Sequence, residues 1–251
     1  MAGAMSFRSG NPALTARTFT NERVLRGVES MTLSGTVNKT AMALAMLMVA
    51  AGYVWTRGPE NPSLGLWVLV SSVAGLIVAV VTTFKHAWAP VTTPLYAVLE
   101  GVVLGGVSVL ANAAYPGIVV QAVFLTFGTL GALLVAYRSG LIQATQNFRL
   151  GVVAATGGIF LVYLVSFVLG LFGVSVPLIH SNGIVGILFS LGVVVLAALN
   201  LVLDFDFIER GVAGGAPKHM EWYGSFGLLV TLVWLYLEIL RLLSKLQSRN
   251  R

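Results

Sequence analysis

The stretch L-A-A-L-N-L-V-L-D-F-D-F-I-E at 196–209 decides how this chain is read, together with L-Y-L-E at 235–238. The first is the end of a long apolar run that closes on Asp204 and Asp206. The second lies inside another apolar run and carries Glu238 with no turn residue near it. An ionisable side chain at membrane depth costs a few kcal/mol on insertion scales, so such residues face a bundle interior or a water-filled path. Acids in two successive membrane helices are therefore a functional hypothesis. The competing reading is that Asp204 and Asp206 mark where the sixth helix leaves the membrane. Glu238 resists that reading, because apolar residues flank it on both sides.

Composition supports the membrane setting. Of 251 residues, 57% are hydrophobic and 10% charged, and the mean hydropathy is +0.90. Soluble domains are about one-quarter charged, so this is a polytopic membrane protein. Cysteine is absent, which excludes a disulfide framework, a zinc–thiolate cluster and a thiol nucleophile. The net charge of +6 comes from basic residues scattered at the ends of apolar runs, a pattern of membrane topology and not of nucleic-acid binding.

Apolar runs long enough to span appear at about 40–56, 64–84, 90–110, 116–137, 150–173, 183–203 and 223–243. A span needs roughly 20 residues, and its backbone must be satisfied internally, so each run is expected to be a helix. The expected fold is all-α: a seven-helix transmembrane domain over 39–246, a polar basic tail over 1–38 and a short tail over 247–251. The N-terminal tail carries no secretory signal. It reads as irregular, with a short basic helix over 17–29 as the alternative. The connection 204–222 reads as the longest loop. Lys and Arg in the tail and alternate loops, including Lys39, Lys85, Arg138, Arg149, Arg210 and Lys218, put the N-terminus in the cytoplasm of a plasma-membrane protein. Lys245, Arg249 and Arg251 disagree with that bias, so helix seven either crosses fully or is re-entrant.

Enzyme chemistry is not indicated. The chain has no phosphate-binding loop, no H-E-x-x-H and no G-x-S-x-G. His86, His180 and His219 are too dispersed in sequence to suggest a metal site, and no cofactor is expected. What remains is a set of acids at membrane depth, Glu100, Asp204 and Glu238, with Arg241 one turn beyond Glu238. Glycines such as Gly101, Gly105, Gly106, Gly151, Gly157 and Gly158 read as helix-packing positions.

The layout, E-G-V-V-L-G-G at 100–106, L-V-L-D-F-D-F-I-E at 201–209 and L-Y-L-E-I-L-R-L-L at 235–243 resemble the Bax inhibitor-1/YccA family over residues 32 to 246. The resemblance implies six helices around a central seventh. It also implies two acids, at the end of helix six and within helix seven, that share a proton and gate a pH-sensitive calcium leak. Carried over, these fall on Asp204 and Glu238, which would also be the calcium ligands; Asp206 competes with Asp204 because D-F-D stands where the family has D-T-Q. The spacing of the two acids is longer than in the family, and an alignment without an insertion puts Leu228 or Leu229, not Glu238, at the place of the family's helix-seven aspartate. The family's basic helix-two residue has no clear counterpart: Lys85 lies at the end of run two, and Arg241 is the substitute from helix seven. Two other functions stay open. One is a non-transporting regulator that binds other membrane proteins, such as a membrane protease. The other is a proton-coupled transporter of a small solute, which should show helices broken at the midplane.

Overall fold

The computed structural model describes residues 29–173 and 183–249, and all seven apolar runs are helices there. They are α1 (Leu33–Arg57), α2 (Leu64–Phe84), α3 (Ala89–Ala114), α4 (Ile118–Arg138), α5 (Gln146–Leu171), α6 (Ile184–Ala213) and α7 (Met220–Arg249), with a short 3-10 turn, His86–Trp88, before α3. Each is long and apolar enough to cross a membrane. The tail over 1–28, with the alternative helix over 17–29, lies outside the described residues, as do His180 and Arg251.

Local chemistry fixes the helix ends. Thr32 caps α1, its hydroxyl accepting from Gly35 N at 3.0 Å, so α1 begins at Leu33 rather than near residue 39. Polar residues such as Thr36 and Lys39 are therefore helical. The larger correction concerns α6. It does not end at Asp204 but continues to Ala213, because 204–213 contains no proline and buries Phe205, Phe207 and Ile208. Gly214 and Gly215, the latter at φ 64°, stop it, and the expected 204–222 loop shrinks to 214–219. The aspartates thus belong to the body of the helix, two turns or more before its end. α7 is one unbroken helix of 30 residues, about 45 Å at 1.5 Å per residue, enough for a full crossing.

α7 is the central element. It packs against α1, α3, α4 and α6, and Tyr223, Phe226, Leu229 and Leu235 on it are almost wholly buried. The surround is less even than six helices around one, for α2 packs chiefly on α3 and α5 chiefly on α6. α3 can pass close to α1 because Gly101 and Gly105 lack side chains: a Cβ there would lie 2.4 Å from Leu47 O and 2.7 Å from Ala51 O. The glycines of α5 differ. Nothing lies within 4 Å of a Cβ built on Gly151, Gly157 or Gly158, so these do not pack helix on helix.

The face of the bundle where the chain enters α1 is called the near face below, and the opposite one the far face. Residues Glu29–Thr32 lie across the near face. Ser30 bridges to Pro217, Met31 N donates to Ala216 O at 2.7 Å and Lys218 N to Glu29 O at 3.0 Å.

Candidate functional site: a polar seam behind helix α5

α6 presents one buried row to the bundle: Gly186, Ser190, Val193, Ala197, Asn200 and Asp204, spaced three or four apart as one helical face requires. Only Val193 in it is a bulky apolar residue. α7 answers with Thr231, Glu238 and Lys245, spaced seven apart and so also on one face. The two helices run antiparallel in fixed register. Thr231 Oγ1 donates to Asp204 Oδ2 at 2.5 Å. Fourteen residues further along each helix, Lys245 Nζ donates to Ser190 Oγ at 2.8 Å and to Gly186 O at 3.0 Å. Lys245, whose charge runs against the topology bias of the sequence, is thus a buried member of the α6–α7 contact.

This register separates the two acids expected to pair. Asp204, with no exposed surface, is level with Thr231. Glu238 lies two turns further along α7, about 10 Å along the axis. Its carboxylate accepts from Tyr163 Oη at 2.9 Å and from Arg241 Nη1 at 2.9 Å. Tyr163 Oη itself accepts from Arg241 at 2.7 Å. The residue opposite Asp204 is therefore Thr231, neither Glu238 nor Leu228 or Leu229. Arg241 pairs with Glu238, one turn before it on α7, at 2.9 Å. Lys85 instead holds its ammonium 5.5 Å from the Trp88 ring.

Asp206 has its own partners: Arg149 of α5 at 3.0 Å, and Arg210 one turn along α6. Glu100 of α3 stands apart and is half-buried, with the Tyr96 hydroxyl at 3.5 Å, a weak contact. Among the described residues no three His, Cys, Asp or Glu come together as a metal-holding group. His86 and His219, far apart in sequence, stack with ring centroids 6.2 Å apart.

Asn200 lies one turn from Asp204 on the same face. Its amide nitrogen donates to Thr156 Oγ1 at 2.8 Å and to Leu196 O at 2.9 Å, but its Oδ1 is buried with no protein donor. A buried amide oxygen is costly without a donor or cation. The seam therefore presents two oxygen-bearing groups side by side, a carboxylate and an amide, the donor type that suits hard cations. Toward the near face it turns apolar: a Cβ on Gly224 of α7 would touch Ile208 at 3.1 Å, Thr36 at 3.3 Å and Met31 at 3.4 Å. At the far end stands the Lys245 ammonium.

One acid escaped the sequence reading. Glu221, in the first turn of α7, has no exposed surface. It accepts from Thr32 N at 2.8 Å and Thr32 Oγ1 at 2.7 Å, and pairs with Lys39 and with Lys218, the latter at 3.2 Å. Its signal in the sequence was a lone acid just before the last apolar run and a lone lysine just before the first. Neither position names the other.

No curated protein and no solved structure matches the chain. A family model described as Bax inhibitor 1 like matches residues 11–248. With seven membrane-length helices, α7 central among them, and nearly the whole length matched, the chain belongs to the Bax inhibitor 1 like family.

Proposed function

We propose that the protein is a pH-sensitive leak for calcium or a similar cation, and that the ion passes along the α6–α7 seam by way of Asp204 and Asn200. The observation that carries this reading is the buried Asn200 Oδ1 with no protein donor, one turn from the fully buried Asp204. A carboxylate and an amide oxygen offer a hard cation a weak, partial shell, which suits passage better than retention. Protonation of Asp204 removes the negative charge from that shell, so the ion's affinity for the seam depends on pH. Glu238 acts separately from Asp204, two turns further along α7 and beside Arg241.

The charge bias supports a cytoplasmic near face in the plasma membrane. A reporter fused to the C-terminus should then read extracytoplasmic, and a cytoplasmic signal there overturns this orientation. Function is tested by calcium flux into proteoliposomes with Asn200→Leu, which removes the amide oxygen and leaves Asp204 in place. The reading expects flux to fall at every pH. Unchanged flux excludes this route, and no flux from the unmodified protein favours a regulator of other membrane proteins.

A further inference from the structure

The seam runs from the tight contact of Gly224 with Ile208 and Met31 at one end to Lys245, bonded to Ser190, at the other. Its third side is α5, which is attached in an unusual way. Of its 26 residues, Val152 and Ser166 alone are buried. Its side chains at 149, 156 and 163, spaced seven apart and so on one face, each make a polar tie across to α6 or α7. Arg149 reaches Asp206 at 3.0 Å, Thr156 accepts from Asn200 at 2.8 Å, and Tyr163 reaches Glu238 at 2.9 Å. The residues between them on that face, Val152 and Ile159, add apolar contact near the first two ties. The glycines of this helix meet nothing across their open sides.

A membrane supplies no hydrophobic drive between helices, so a helix with little packed surface is held by its interhelical hydrogen bonds. Those bonds are individually weak in membranes, and three in a row can be broken together by a modest displacement. The middle tie ends on a residue of the seam, Asn200, whose oxygen faces the proposed ion route, and the outer two end on acids to either side of it.

We propose that α5 is a lateral gate, closed by the ladder Arg149–Asp206, Thr156–Asn200 and Tyr163–Glu238, whose movement away from α6 exposes Asn200 and Asp204. Arg149, Thr156 and Tyr163 are gating residues in this view. The ladder deepens the proposed leak and rests on it for its purpose, but α5 movement is measurable without flux.

The absence of native cysteine allows two spin labels to be placed cleanly. Phe160→Cys on α5 and Leu69→Cys on α2 are both exposed, at 64% and 63%. Inter-label distances would be measured by double electron–electron resonance in liposomes, with and without Thr156→Val plus Tyr163→Phe. These changes remove two ties and strand no charge, because Glu238 keeps Arg241 and Asn200 keeps Leu196 O. The expected result is a longer-distance population increased about tenfold, the effect of two membrane hydrogen bonds, with flux rising in parallel. An unchanged distance distribution overturns the gate, whatever the flux. If α5 moves while the protein conducts no cation at any pH, the gate stands and the leak reading fails.

Discussion

The hydroxyl of Thr231 donates to the carboxylate of Asp204 at 2.5 Å, and this bond sets α6 against α7 in the register that keeps Glu238 two turns away. A tie made by side chains at the centre of the bundle therefore decides which polar groups share a level. It also separates two roles: Asp204 lies on the seam with Thr231, whereas Glu238 and Asp206 hold α5, and Asn200 takes part in both.

Thr231→Val keeps the shape of the side chain and removes the donor to Asp204. A buried acid that loses a partner costs about 1–3 kcal/mol, so the melting temperature in detergent should fall. Thr231→Ser should restore most of it. A valine variant as stable as the parent would show that the bond contributes nothing.

Glu221 ties the start of α7 to Thr32 and Lys39 of the near face. Lys39→Met breaks a buried ion pair, a change that costs about 3–5 kcal/mol where no other cation remains; with Lys218 still present the loss should be smaller. Gly35→Ala should be worse than a helical glycine-to-alanine change normally is, because its Cβ would lie 2.2 Å from Glu221 Oε1. Thermal unfolding of both variants checks this, and a stabilised Gly35→Ala protein would contradict the placement of Glu221.

Glu100 has a weak partner in Tyr96 and a half-buried position. Glu100→Gln is expected to accumulate in the membrane close to the parent level. Glu100→Lys, which places a cation among apolar neighbours, is expected to accumulate poorly. Immunoblots of membrane fractions measure both, and loss of the glutamine variant would mark Glu100 as a charged structural partner.

Asp204 and Glu238 should behave as independent sites. Groups that share no partner and lie well apart have nearly additive effects, whereas a carboxylate pair sharing one proton would not. In a double-mutant cycle on stability, Asp204→Asn and Glu238→Gln should sum to within about 0.5 kcal/mol. A coupling well beyond that would restore the shared-proton pair.

The helices were legible because bilayer thickness demands about 20 apolar residues, and the runs supply them with glycine and proline between. The continuation of α6 was not. Asp204, Asp206, Glu209 and Arg210 look like an aqueous exit, yet each aspartate is satisfied by a distant residue, Thr231 or Arg149, that local composition does not name. Asp204, Glu238 and Arg241 were found as single residues because charge stands out in an apolar run. Their pairing followed the family pattern and missed the register, which depends on Thr231 and on a connection much shorter than it looked. The ladder on α5 was hidden because Thr156 and Tyr163 are unremarkable types, and their spacing of seven matters only once Asn200 and Glu238 are seen opposite.

The central claim is that cations cross beside Asp204 in a manner that depends on its charge. Calcium entry into proteoliposomes, followed over a series of pH values for the parent protein and for Asp204→Asn, tests it most directly. The parent should conduct with a clear dependence on pH. Asp204→Asn, matched in shape and uncharged at every pH, should lose most of that dependence. A parent protein that passes no calcium, or an asparagine variant whose flux follows the same pH curve as the parent, would contradict the account.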